Sequence, residues 1–244
     1  MAELIQERYK IEYKLKESRD YEAYRAVDIE DREKKVYILN VYSGENVKKY
    51  VKLFHDLKNC PEYKGEFVIG SKLAAVFEYK TGEELNNIFK KKAMLSQDYR
   101  FKSVEQILNI GLIAESFPEL LKKSMVEYRN FQVKQTSERI DMNFMIDPNS
   151  YSDDYLDVLT DAIRRMLPKS FSEPIEERRF FLSLKRKPVK DGIELYSRWK
   201  KAFPAIRKEY DQQISLGIIE RVFSLIAKNF KWFIESRFFS KEKK

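Results

Sequence analysis

Apart from one helical stretch at 43–59, apolar and polar residues read as strands through the first eighty positions and switch to helical spacing after Gly82. RYKIEYKL (8–15) sets Tyr9, Ile11 and Tyr13 on one face of a strand. YEAYRAVDI (21–29) predicts a second strand, and the charged run DIEDREKK turns the chain into VYILNVY (36–42), rich in β-formers. Ser43-Gly44 breaks that strand. Val47, Tyr50, Val51, Leu53, Phe54 and Leu57 then recur at three- and four-residue intervals and predict a helix over 43–59. EFVIGSKLAAVFEY (66–79) predicts two strands joined at Gly70-Ser71. The expected order is therefore β-β-β-α-β-β. Helices are expected over 83–93, 103–123, 151–167, 174–186, 191–211 and 213–239, punctuated by Pro168, Pro174 and Pro188. The stretch 124–150 is irregular apart from a strand at RIDMNFMI.

Composition narrows the function classes. A chain of 244 residues that is 43% hydrophobic is long enough for a proper core. The single Cys60 excludes an internal disulfide and fits a reducing compartment. The N-terminus MAELIQERYKIEYK lacks the apolar centre of a signal peptide, and no run of about 18 uncharged apolar residues occurs, so a cytoplasmic protein is expected. One histidine and one cysteine do not make a zinc centre, and His55 would be the only base for a Ser-His-Asp or Cys-His arrangement. Neither G-x-x-x-x-G-K-[ST] nor G-x-G-x-x-G is present. No metal and no cofactor are expected.

The net charge of +8 is unevenly placed. Residues 168–244 hold 19 Lys/Arg against 10 Asp/Glu, whereas the rest of the chain is nearly neutral. Either an anionic partner or a solvated basic exterior accounts for this.

Four fragments carry a resemblance. AYRAVD (23–28) resembles the second strand of a protein kinase, V-Y-x-A-x-D, and VFEYKTGEEL (76–85) resembles the segment joining the kinase lobes, M-E-Y-x-x-G-x-x-L. MVEYRNFQVKQ (125–135) falls where a catalytic loop belongs, and IDMNFMID (140–147) where the metal-binding motif belongs. The resemblance covers residues 8–147 and rests on the order and spacing of these fragments. It implies an α+β, kinase-like fold: a five-stranded antiparallel N-lobe with one helix (1–80), a reduced, mostly helical C-lobe (81–167) and a basic helical extension (168–244). Nothing in 151–244 resembles the remainder of a kinase C-lobe, and no A-P-E triplet occurs.

The charged members of the kinase machinery are missing at the aligned positions. The tetrad V-A-I-K aligns with YILN, so Asn40 stands where a phosphate-gripping lysine would be. H-R-D aligns with Tyr128-Arg129-Asn130, the following metal-holding asparagine with Gln135, and D-F-G with Asn143-Phe144-Met145. The phosphate-covering loop aligns with KESRDYEA (16–23), which has no glycine and instead offers Lys16, Ser18 and Tyr21 to fill the space. Phosphoryl transfer is mostly positioning and charge neutralisation. An amide is no general base near neutral pH, and it brings no charge to Mg²⁺. The resemblance thus implies a pseudokinase that acts as a protein-binding scaffold or assembly component. It is similar in size and degeneracy to the kinase-like cytosolic domain of the bitopic membrane component of bacterial type VII secretion, a docking module. Three alternatives stand beside it: an atypical kinase or nucleotidyl transferase using Asp141 and Asp147, a basic adaptor that binds anionic membrane or nucleic acid through residues 177–244, and an unrelated α+β fold in which Asn40 is an ordinary strand residue.

The C-terminal third adds two surfaces. QQISLGIIERVFSLIAKNFKWFIESRFF (212–239) combines an apolar face that includes Phe223, Phe230 and Phe233 with Trp232 and the cations Lys228, Lys231 and Arg237. It reads as a core-packing helix, a partner-docking helix or a membrane-surface helix. ERRFFLSLKRKPVK (177–190) gathers Arg178, Arg179, Lys185, Arg186 and Lys187. That run reads as a solvated helix edge or as a phosphate-contacting patch. No nucleic-acid motif accompanies it, and nucleic acid is not the expected partner.

Overall fold

The computed structural model describes residues 4–230 except 56, 58–59, 92–94, 120, 123–125, 135–136, 150–153, 168–173, 218, 221, 225 and 229, with Ile214 described for its backbone only. The chain divides into two compact units, residues 1–99 with 117–158 and residues 100–116 with 159–244. The boundaries expected at 80 and 167 fall inside the first and second unit respectively. Among the described residues, no helix is long and apolar enough to cross a membrane.

The first unit is built on a six-stranded antiparallel sheet. Its strands are β1 (Leu4–Ile5), β2 (Tyr9–Ser18), β3 (Tyr21–Asp28), β4 (Val36–Tyr42), β5 (Tyr63–Ile69) and β6 (Lys72–Glu78), in spatial order β1-β2-β3-β4-β6-β5. Helix α1 (Asn46–His55) connects β4 to β5, which gives the expected order with one strand added. The extra strand, β1, doubles back through Gln6 and Glu7, both at positive φ, and pairs with Tyr9 and Lys10. Sequence reading expects five strands because a left-handed turn made without glycine leaves no breaker signal.

The sheet curls. Tyr9 of β2 stacks on Phe67 of β5 at 5.7 Å although β3, β4 and β6 lie between them. One face closes over a core of Tyr9, Ala26, Tyr37, Leu39, Val41, Ala74 and Val76. The small alanines at the middle of that face let the flanking strands approach. By strand alternation, Tyr21, Ile38, Asn40, Tyr42 and Phe77 point to the other face. There Tyr42 stacks on Tyr50 of α1 at 4.3 Å, and Phe54 packs edge-on to Phe77 at 6.0 Å. The pairing of β2 with β3 slips between Ile11 and Tyr13 and again between Lys14 and Lys16. Such bulges bend a strand and re-aim its side chains.

A second sheet follows. β7 (Glu83–Glu84), β8 (Phe131–Lys134) and β9 (Arg139–Met142) form it in the order β7-β8-β9. Gly82 leads into β7 so close to β8 that a Cβ would lie 3.0 Å from the Val133 backbone nitrogen and oxygen. A 3₁₀ turn, Tyr128–Asn130, opens β8. The strand expected at RIDMNFMI ends at Met142, because the next residues turn their hydrogen bonds toward the first sheet.

The second unit is helical. Helices α3 (Gln97–Ala114) and α4 (Tyr155–Met166) enter it from the first unit, which also holds α2 (Leu85–Lys91); α5 (Ile175–Arg186) and α6 (Gly192–Ile214) lie wholly within it. Helix α3 starts earlier than expected, where Ser96 Oγ accepts from the Tyr99 amide, and stops before Pro118, which the periodicity reading runs through. Helix α6 is capped by Asp191, whose side chain accepts from the Glu194 amide. Trp199 is fully buried between Phe180 and Phe203, with ring centroids at 5.4 and 5.5 Å. Phe101 of α3 packs edge-on to Phe203 and Tyr210. The helix expected over 213–239 begins as the end of α6; the described residues between 219 and 230 are helical, and 231–239 lie outside the described residues.

Replacing Trp199 with alanine removes the largest buried side chain of the second unit and leaves a cavity. The expected loss is about 3–5 kcal/mol, read by denaturant unfolding with a probe in the helical unit.

Candidate functional site

The site forms where the segment after β9 crosses the face of the first sheet that carries Asn40, Tyr42 and Phe77. Lys16, Ala23, Asn40 and Ala75 are paired in one row across β2, β3, β4 and β6. In a regular ladder Leu15 would oppose Ala23. The bulge between Lys14 and Lys16 puts Lys16 there instead and turns its ammonium toward residues 127 and 147.

Asn40 is completely buried and uses both ends of its amide. Nδ2 donates to the Phe144 carbonyl at 2.8 Å, and Oδ1 accepts from the Ile146 amide at 2.9 Å and from the Tyr21 hydroxyl at 2.7 Å. Tyr42 adds a hydroxyl donated to the Ile146 carbonyl at 2.8 Å. The segment 144–146 is thereby fastened to β4 much as a neighbouring strand would be. Only a side chain that both donates and accepts can do this, and an amide does so without charge. A lysine at position 40 would leave the Ile146 N–H with no acceptor.

Asn143 repeats the device on the segment joining β6 to β7. Its Oδ1 accepts from the Lys80 amide at 2.7 Å and its Nδ2 donates to the Lys80 carbonyl at 3.1 Å, so both polar groups of one peptide edge are occupied. The Asn143 backbone amide donates to the Asn130 carbonyl at 2.7 Å, and Asn130 Nδ2 donates to the Met145 carbonyl at 3.3 Å. Phe144, between these anchors, stacks on Phe77 at 5.2 Å.

The third fastening is ionic. Asp147, 3% exposed, accepts from Lys16 at 2.8 Å, from Ser18 Oγ at 2.7 Å and from the Asn149 amide at 2.8 Å. Lys16 also lies 3.3 Å from Glu127. Asn149 Nδ2 donates to the Arg19 carbonyl at 2.6 Å, which clamps the β2–β3 turn itself. Burial pushes the Asp147 carboxyl up, but the hydrogen bonds from Lys16, Ser18 and the Asn149 amide outweigh it and hold Asp147 below the ordinary carboxylate range. Burial drives Tyr21 and Tyr42 well above the usual tyrosine range, so both stay protonated donors.

Beside these anchors an open cleft of about 510 Å³ remains, lined by Tyr13, Leu15, Tyr79, Gly82, Arg129 and Met145 among others. Arg25 lies over the rings of Tyr13 and Tyr79 at 5.5 and 5.2 Å. Arg129 is 3.1 Å from Glu127.

Of the four aligned positions, the structure brings Asn40, Asn130 and Asn143 together around residues 143–147, whereas Gln135 lies outside the described residues. Asp141 and Asp147 have separate partners: Asp141 is held by Lys134 at 3.1 Å and Arg139 at 2.6 Å on the hairpin. Among the described residues, no group of three or more His, Cys, Asp or Glu stands ready to hold a metal ion. Arg178, Arg179, Lys185 and Arg186 lie along α5, with Lys187 at its C-cap, and Arg179 is tied to Glu176 at 2.6 Å. Phe223 and Phe230 are 68% and 64% exposed, and Lys228 comes within 3.9 Å of Glu209. Lys231, Trp232, Phe233 and Arg237 lie outside the described residues. Sequence reasoning missed Tyr42, Lys80 and Asn149, for only the chain's path across the sheet brings them to the site.

Asn40→Ala strands the Ile146 amide, the Phe144 carbonyl and the Tyr21 hydroxyl, and is expected to cost about 2–5 kcal/mol, read by chemical denaturation. Asp147 contributes stability above the unfolded carboxyl pKa of about 3.9 and loses it as pH falls through its lower folded value. Asp147→Asn is therefore expected to be less stable than wild type at pH 7. The gap should narrow as pH drops below about 3.9, as followed by thermal melts at stepped pH.

No protein-family model and no curated protein matches the chain. Among solved structures it is similar to a protein kinase, in the crystal structure of Rad53 1–466 in complex with AMP-PNP. The match has 14% sequence identity and a TM-score of 0.42, and covers 56% of this chain and 38% of that chain.

Proposed function

We propose that this chain is a kinase-like protein without phosphotransferase activity, which works by binding other proteins as a scaffold or assembly component. The observation that carries the reading is the use of the aligned catalytic positions. Asn40 and Asn143 are spent on backbone hydrogen bonds, to Phe144 and Ile146 in one case and to Lys80 in the other. The element order supports the kinase-like part: four strands, the first a two-residue addition, then a helix and two strands, and, after β7, α2 and α3, a short β8–β9 hairpin whose exit carries Asn143-Phe144-Met145.

The chemistry argues for inactivity. Phosphoryl transfer needs cations and a metal at the phosphates and a base at the nucleophile. Lys16 is the nearly buried cation beside this face, and its ammonium is taken by Asp147 and Glu127. Asp147, the carboxylate an atypical enzyme would use, is neutralised by that same lysine and separated in its bonding from Asp141. What remains is a framework suited to docking partners rather than to phosphoryl transfer. That is the role played by the kinase-like domain of the type VII secretion component, which this chain resembles in size and degeneracy. The reading needs no cofactor and no metal.

Incubation with labelled ATP, a generic protein substrate and Mg²⁺ or Mn²⁺ is expected to give no transfer above a heat-killed control. Millimolar ATP is expected to leave the melting temperature unchanged with or without Mg²⁺, since only a ligand that binds the native state raises it. Metal-dependent transfer lost in Asn143→Ala would contradict the proposal.

A further inference from the structure

The described residues after Gly217 carry an apolar stripe that the fold leaves uncovered. Ile219, Val222, Phe223, Ile226 and Phe230 are 72%, 51%, 68%, 55% and 64% exposed. At about 100° per residue these positions fall within one third of the helix circumference, and the stripe runs for roughly 16 Å at 1.5 Å per residue. Lys228 falls on the opposite side, and there its ammonium approaches Glu209 of α6 at 3.9 Å. The polar side of the segment is thus the one turned toward its own unit, and the apolar side is the one turned out. A helix packed for the core has the reverse arrangement.

Charge decides what covers such a stripe. From residue 219 onward the sequence holds seven Lys/Arg against three Asp/Glu. The whole stretch 168–244 holds 19 against 10. Pairing this stripe with a second copy would bring two net-cationic segments together, whereas an anionic lipid surface accepts the apolar side chains and attracts the cations that the sequence carries beyond them, Lys231, Arg237, Lys241, Lys243 and Lys244. The continuing sequence adds Trp232 and Phe233, residue types that favour the headgroup boundary. We infer that the described residues between Ile219 and Phe230 seat the protein on an anionic membrane surface as an interfacial helix, with Phe223 and Phe230 entering the headgroup–acyl boundary. This inference is independent of the pseudokinase reading, since no residue of the sheet-face site takes part.

The test is co-sedimentation of the full chain with vesicles of phosphatidylcholine containing about one third phosphatidylglycerol, and with pure phosphatidylcholine vesicles. Binding to the anionic vesicles is expected, at least tenfold above that to neutral ones, weakening as salt rises. Phe223→Glu combined with Phe230→Glu is expected to abolish it. Both side chains are exposed, so folding is not at stake, and the melting temperature checks this. Absence of binding to anionic vesicles at physiological salt would overturn the inference. So would binding that survives the double substitution, or a concentration-dependent dimer in sedimentation equilibrium that the double substitution dissolves while vesicles bind nothing.

Discussion

The buried amide of Asn40 fastens the segment 144–146 to the first sheet. A strand interior is a costly place for an unpaired polar side chain, and an isolated segment such as 144–146 is an equally costly place for unpaired peptide groups. Each solves the other's problem. Asn40 gives its donor to Phe144 and its acceptor to Ile146, Tyr21 supplies the second proton, and the segment lies along β4 without being a strand. Phe144 is thereby delivered to Phe77, extending the aromatic packing that runs from Tyr50 and Tyr42 through Phe54. The same logic recurs at Asn143 and Lys80, and in ionic form at Asp147 and Lys16. Three fastenings of different chemistry thus hold one short stretch against the sheet and its connecting segment.

This arrangement explains why the face carries amides. A site that handles phosphate needs mobile, fully charged groups with free valences for ligand and metal. A structural seam needs groups whose donors and acceptors are all consumed internally. Asparagine suits the second task because it is short, neutral and bifunctional. Lysine and aspartate at positions 40 and 143 would each supply only half of what the facing backbone demands. The remaining cleft beside Tyr13 and Tyr79 stays open to solvent, but the Lys80 peptide edge is already occupied.

Much of this was legible in the sequence, and the exceptions have physical causes. The strands from Tyr9 to Glu78 and helix α1 follow from alternation, β-formers and Ser43-Gly44. That position 40 is uncharged was also readable in YILN. Its partners were not, since nothing local links position 40 to 144 and 146. The β2 bulge is silent as well: no glycine marks it, yet it determines that Lys16 rather than Leu15 faces Asp147. Strands β7 and β8 are two and four residues long and carry too little periodicity to stand out. The early stop of α3 was written in Pro118 and was masked by the apolar spacing on both sides of it.

Native-state hydrogen exchange at two amides tests the central claim most directly. Ile146 N–H donates to Asn40 and Lys80 N–H donates to Asn143. If these side chains are permanent fastenings, both amides exchange only through large-scale opening of the first unit, with protection close to that of the β4 ladder. Addition of ATP and Mg²⁺ then leaves both rates unchanged. Fast exchange at either amide, or a rate altered by Mg²⁺-ATP, would mean that the asparagines release the backbone for a ligand, and would contradict the account.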